Sequence, residues 1–134
     1  MDLFGTNSSH KKLTTVSKQE LVMAENPKND FFENVFDVVR LIPAGRATSY
    51  GAIASYLGSK RGARMVGWAM GNSYTREGIP AHRVVNKAGM LSAKLLFETP
   101  VTMQERLESE GVIVKDDLIQ NWSEVFWDPE KELT

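Results

Sequence analysis

The chemistry open to this chain turns on a short run near its middle, Ile79-Pro80-Ala81-His82-Arg83-Val84-Val85, and on a carboxylate downstream, Glu110. An imidazole and a carboxylate can move a proton. One of each, with no nucleophile beside them, is a thin basis for catalysis. The chain holds no cysteine, which excludes disulfides, thiolate nucleophiles and cysteine-bound zinc or iron–sulfur clusters. Its two histidines, His10 and His82, are too far apart in sequence to make a histidine-rich metal site by themselves. Neither a metal nor a cofactor is expected. The second chemical feature is cationic. Lys60, Arg61 and Arg64 stand at the start of a run rich in small residues, Gly62, Ala63 and Gly67. A helix beginning there would offer backbone N–H groups and positive side chains to a phosphate, while the small residues allow close approach to DNA or a partner backbone.

A small frame must hold these residues. The 134 residues and 15.0 kDa allow one domain with a modest core. No apolar run approaches the roughly 20 residues that cross a bilayer, and the first residues lack a signal peptide's pattern. No membrane contact and a cytoplasmic location are expected. Residues 1–30 read as a polar N-terminal tail, partly disordered, with room for a short helix over 17–25; residues 31–134 read as the domain. Asp30 can cap a helix over 31–41 with an apolar stripe of Phe32, Val35, Phe36, Val39 and Leu41. Pro43-Ala44-Gly45 ends it. Thr48 or Ser49 can cap a second helix carrying Tyr50, Ile53, Ala54 and Leu57, with Gly58 as its stop. Residues 61–72 read as a third helix. Two short helices around a glycine-containing turn outline a helix-turn-helix. Further helix is expected over 101–110, a short extended piece at Val112-Ile113-Val114, and core packing for Trp122, Val125, Phe126 and Trp127. Leu95, Leu96 and Phe97 are read as core, with an exposed patch for a partner protein as the other option.

Net charge is only −1, yet it is segregated along the chain. Residues 40–94 hold nine Lys or Arg against Glu77 alone, a net +8, while residues 95–134 net −7. A basic central segment suits a surface that faces phosphates.

Three blocks, in order and spacing, resemble the C-terminal domain of the DNA alkylguanine alkyltransferases over about residues 31–115. They are Ile42-Pro43-Ala44-Gly45-Arg46 leading to Ser49-Tyr50-Gly51, Ala63-Arg64-Met65-Val66-Gly67 leading to Ala69-Met70-Gly71-Asn72, and Ile79 to Val85. In that family the third block carries Pro-Cys-His-Arg, whose cysteine accepts the alkyl group; here Ala81 stands in its place. The chain is similar to the alkyltransferase-like proteins, which keep the DNA-binding and base-flipping parts without the cysteine. The resemblance implies a mostly α, winged-helix-like helix-turn-helix domain with short extended segments. It implies a monomer, not an enzyme, that binds double-stranded DNA bearing 6-O-alkylguanine and hands it to nucleotide excision repair proteins.

It also implies residue roles. Arg64 is the finger that enters the base stack, supported by Ala63 and Gly67 at the minor groove and by Lys60 and Arg61 at the backbone. Tyr50 rotates the target phosphate and lines a lesion pocket with Asn72, Pro80, Ala81, His82, Arg83 and Glu110. Ala81 leaves room for bulky adducts. The run Met90 to Phe97 departs from the transferases' glycine-rich wall. Three other readings stay open: a winged-helix transcriptional regulator or general DNA-binding protein without lesion preference, a paralogue that binds only proteins, and an enzyme built on His82 and Glu110.

Overall fold

The computed structural model describes residues 27–60 and 62–133. Arg61 and the tail with its 17–25 segment lie outside the described residues. Helix α1 spans Pro27–Arg40. It starts at a proline, which suits a first turn because its missing N–H is not needed there. Asp30 therefore sits inside the first turn rather than capping the helix, where its charge favours the helix dipole. Its main-chain carbonyl accepts from Asn34 Nδ2 at 2.7 Å. Val35, Phe36, Val38 and Val39 are buried. Because α1 ends at Arg40, Leu41 leaves the apolar stripe and is 48% exposed, while Ile42 turns inward.

Strand β1, Thr48–Ser49, leads straight into α2, Tyr50–Leu57. Ser49 is extended and its Oγ accepts from the Ala52 N–H at 3.1 Å, satisfying a donor the helix leaves unpaired. Gly58 closes α2 in the left-handed region at φ 69°, a conformation that costs glycine nothing. Helix α3, Ala63–Gly71, follows and packs against both α1 and α2 through Met65, Val66, Ala69 and Met70. The helix-turn-helix expectation holds, with α3 shorter than 61–72.

Strand β2, Val84–Val85, pairs in parallel with β1, Thr48 opposite Val84 and Ser49 opposite Val85. This places the 3₁₀ turn Ala81–Arg83 just before β2, at the opposite end of the strand pair from the one at which Tyr50 leaves β1. Helix α4 covers Thr102–Ser109 and buries Met103 and Leu107. Strands β3, Val114–Lys115, and β4, Leu118–Ile119, form an antiparallel hairpin. Its turn uses Asp116 and Asp117 at φ 53° and 64°, the left-handed pair that matches strand twist in tight hairpins. Leu91 N–H donates to the Asp117 carbonyl and Ile119 N–H to the Gly89 carbonyl, both at 2.9 Å, so the hairpin is stitched to the 89–91 segment.

Two one-turn helices finish the chain, α5 Trp122–Val125 and α6 Pro129–Glu132. The segment between them is tied to the front of the domain. Ala47 N–H donates to the Val125 carbonyl and Trp127 N–H to the Ala47 carbonyl. Arg46 donates to the Val125 and Phe126 carbonyls at 3.0 and 2.7 Å. Trp127 is buried, and Trp122 and Val125 pack partly against the core. Core packing expected for 95–97 holds for Phe97 alone. Leu95 and Leu96 are 74% and 58% exposed, because the 3₁₀ turn Lys94–Leu96 points only its last neighbour, Phe97, inward against Tyr74. No helix among the described residues is long and apolar enough to cross a membrane.

Candidate nucleic-acid interface

Helix α3 buries one side and leaves two stripes at i, i+4 spacing on the other. Ala63, Gly67 and Gly71 form a stripe of small residues; Arg64, Trp68 and Asn72 form the one beside it. The helix has no side-chain cap: its N-cap is Gly62 at φ 66°. Its first N–H groups therefore lack the side-chain acceptor that Ser49 gives α2, and suit an anion. Arg64 is exposed, with its guanidinium carbon 5.5 Å from the centre of the Trp68 ring. This is a cation–π contact. Trp68 is itself 46% exposed. Lys60 is exposed just ahead of the helix.

A cavity of about 280 Å³ runs along the small-residue stripe. Ala63, Arg64, Gly67, Met70 and Gly71 of α3 line it with Tyr50, Tyr74, Ser92 and Leu96. Three separate parts of the fold converge there. Tyr50 comes from the first turn of α2, Tyr74 from the 3₁₀ turn Ser73–Thr75, and Leu96 from the turn at 94–96. Burial pushes the Tyr50 phenol above its ordinary pKa, partly offset by a hydrogen bond with Ser92. Burial, with Tyr50 nearby, raises Tyr74 further. Both phenols stay neutral at physiological pH and can donate hydrogen bonds. A Cβ built on Gly67 or Gly71 would meet no atom within 4 Å, so these positions keep the stripe low.

His82, Arg83 and Glu110 form an ion cluster outside the cavity lining. The Glu110 carboxylate accepts from Arg83 Nη2 at 2.6 Å and from Arg83 Nε at 3.1 and 3.2 Å. His82 Nε2 lies 2.8 Å from Glu110 Oε2. Gly45 N–H reaches Oε1 at 3.3 Å, and Arg83 Nη1 donates to the Ile42 carbonyl at 2.7 Å. Burial opposes the charge on Glu110, but the bonds from Arg83, His82 and Gly45 win and hold its pKa at about 2. Burial also outweighs the carboxylate's pull on His82, whose pKa falls below its ordinary value. A neutral His82 must then place its proton on Nε2, since ionised Glu110 can only accept. The cluster joins the loop after α1, the 81–83 turn and the end of α4.

Of the residues expected in a lesion pocket, Tyr50 lines this cavity. Ala81 is buried in its 3₁₀ turn, with its N–H donating to the Ile79 carbonyl at 2.8 Å. Pro80 is half-buried at the head of that turn. His82, Arg83 and Glu110 face one another in the ion cluster. Asn72 is exposed at the C-cap of α3, where its Nδ2 donates to the Trp68 carbonyl at 3.1 Å. Of the expected DNA-contacting residues, Tyr50, Ala63, Arg64 and Gly67 meet at the cavity, and Arg61 lies outside the described residues. The sequence reading gave no place in the DNA site to Met70, Gly71, Trp68, Tyr74, Ser92 or Leu96. The i, i+4, i+8 spacing of Ala63, Gly67 and Gly71 was a usable signal for the stripe. Nothing local announces Ser92 or Leu96, which arrive through the fold. Among the described residues no group of three or more His, Asp or Glu is placed to hold a metal ion.

Known proteins resemble this chain in sequence and fold. The family model described as "6-O-methylguanine DNA methyltransferase, DNA binding domain" matches residues 30–112, more than half of the chain. Alkyltransferase-like protein 1 of Schizosaccharomyces pombe is 34% identical over 105 residues, covering 75% of this chain and 97% of the relative. The DNA base-flipping protein of Escherichia coli is 36% identical over 87 residues, covering 65% of this chain and 66% of the relative. The crystal structure of S. pombe Atl1 in complex with damaged DNA containing O6-carboxymethylguanine superposes with a TM-score of 0.66 at 34% identity, over 75% of this chain and 97% of that one.

Proposed function

The chain belongs to the family of the 6-O-methylguanine DNA methyltransferase DNA-binding domain, and from that premise we propose that it is an alkyltransferase-like lesion sensor. It docks α3 in the minor groove of duplex DNA and flips a 6-O-alkylguanine into the cavity beside that helix. It leaves the alkyl group in place and marks the site for nucleotide excision repair, acting as a monomer. The observation that carries the reading is Ala81 in the Pro80-Ala81-His82-Arg83 turn of a chain with no cysteine. Alkyl transfer needs a thiolate and none exists here. The docking parts remain. Arg64 is exposed beside the cavity, where a planar cation can occupy the stack space of an extruded base. Ala63, Gly67 and Gly71 keep side-chain bulk off the face that approaches the groove. His82 is neutral and its partner Glu110 is engaged by Arg83, so the pair acts as a brace for the 81–83 turn rather than as proton-transfer machinery.

The test is a binding titration at fixed salt with two duplexes that differ only in one 6-O-methyl group, followed by mass analysis of the recovered DNA. The expected result is tighter binding to the methylated duplex with the adduct intact. Arg64→Ala should lose most of that preference, about tenfold or more in affinity ratio. Equal, salt-sensitive binding to both duplexes would replace the reading with general DNA binding.

A further inference from the structure

We infer that Trp68 is the positioning residue of Arg64: its indole fixes the direction of the guanidinium on the docking face and keeps one side of it covered when the finger enters the base stack. The inference rests on the lesion-sensor reading and adds a residue to it. The exposed face of α3 is otherwise kept low by Ala63, Gly67 and Gly71, with Arg64 and Asn72 beside them. Trp68 is the one large apolar side chain on that face and is 46% exposed. It stands four residues after Arg64, and side chains on a helix lean toward its N-terminus. The indole therefore covers the turn from which Arg64 departs. The guanidinium carbon lies 5.5 Å from the ring centre, inside the range of a cation–π contact.

What holds Arg64 differs from what holds the other described arginines. Arg40, Arg76, Arg83 and Arg106 pair with Asp37, Glu33, Glu110 and Glu98. Arg46 is bound by two main-chain carbonyls. Among the described residues Arg64 is in no ion pair, and its contact is with a neutral ring. The distinction matters at a polyanion. A carboxylate at position 68 would hold Arg64 too, but it would offset the positive charge and repel phosphates. An indole restrains the side chain and leaves its charge whole. Arginine carries much rotamer freedom, part of which is lost on insertion, and a side chain already aimed loses less. The guanidinium is planar and has two faces. With one against the indole, the other is open to a base, and the cation–π contact strengthens once the groove excludes water. The DNA-bound state thus gains more from Trp68 than the free protein does.

The test is the affinity ratio between 6-O-methylguanine and unmodified duplexes at one ionic strength. It is measured for the full chain, Trp68→Leu, Trp68→Phe, Arg64→Ala, and Trp68→Leu combined with Arg64→Ala. Position 68 is exposed, so these changes do not threaten folding. Trp68→Leu keeps apolar bulk without a ring and should lower the ratio about three- to tenfold. Trp68→Phe restores a ring and should recover part of the loss. In the Arg64→Ala background Trp68→Leu should change the ratio by less than about twofold, because a residue that acts through Arg64 has nothing left to position. A Trp68→Leu ratio equal to that of the full chain overturns the inference. A higher ratio also overturns it, since the indole would then park Arg64 away from the DNA. So does a loss of equal size with and without Arg64, which would make Trp68 an independent DNA contact. These three results leave the sensor reading standing. A full chain that binds both duplexes equally overturns both.

Discussion

At Glu110 two opposing effects meet, and the stronger one decides what the residue does. Burial would protonate it, yet Arg83, His82 and Gly45 together hold its pKa at about 2. Its unfolded value is roughly 4.3. The stabilisation is therefore present above about pH 4.3 and is lost as pH falls toward 2. His82 adds to the same trend. Its folded pKa is depressed, chiefly by burial, so the unfolded chain takes up a proton first as pH drops below about 6.5. Urea unfolding should show a lower midpoint at pH 5.5 than at 7.5, and a lower one again at 4. The expected loss by pH 4 is about 1–2 kcal/mol after allowance for solvent screening. Glu110→Gln should flatten the part below pH 5 and leave the histidine part. A midpoint constant from pH 7.5 to 4 would show that the cluster does not brace the fold. The sequence put Glu110, His82 and Arg83 on one list through family resemblance alone. Spacing could not show that all three would converge, because the carboxylate arrives from 27 residues beyond Arg83, carried by the end of α4.

Among the elements, the ones written in local chemistry were legible and the ones completed by distant partners were not. Ser49 and Gly58 mark α2 at both ends by their own hydrogen bonds and backbone angles; Gly58 was readable, and Ser49 stood beside Thr48 as one of two candidate caps. Leu95-Leu96-Phe97 looks like core in sequence, since an apolar run carries no sign of which side a 3₁₀ turn will expose. The β1–β2 pairing was equally hidden: two residues pair in parallel across 36 positions, too short for any periodicity to register. Gly89 shows how such long-range closure is enforced. It stands at φ 85°, and a Cβ there would meet the Trp122 ring at 3.0 Å, while the Trp122 Nε1–H donates to the Lys87 carbonyl at 3.0 Å. Gly89→Ala should therefore cost about 1–3 kcal/mol by strain and overpacking together. Thermal unfolding would check it. A change under a few tenths of a kcal/mol would mean that Trp122 yields freely and that α5 is loosely held.

For the molecule as a whole, net charge is −1, and binding to a polyanion must come from how charge is distributed. The cations of residues 40–94 do not all reach solvent free. Arg83 is consumed by Glu110, Arg46 by the Val125 and Phe126 carbonyls, Arg76 by Glu33 and Lys94 by Asp117. Ion pairs with Glu110, Glu33 and Asp117, the last two at the surface, offset part of the +8 read from the sequence. Around the start of α3 stands a short cationic edge, with Lys60 before the helix and Arg64 in its first turn, and Lys87 is exposed elsewhere. Few phosphate contacts imply a shallow salt dependence, since each neutralised phosphate contributes a slope of about −0.9 in log affinity against log salt. A slope of about −2 to −4 is expected for the unmodified duplex. Lys60→Ala should reduce it by about 1 and weaken methylated and unmodified duplexes alike. Arg64→Ala should instead act on the ratio between them. The two variants separate holding DNA from reading it. A slope steeper than about −6 would place many more cations on the phosphates than this edge supplies, and would move the interface away from α3.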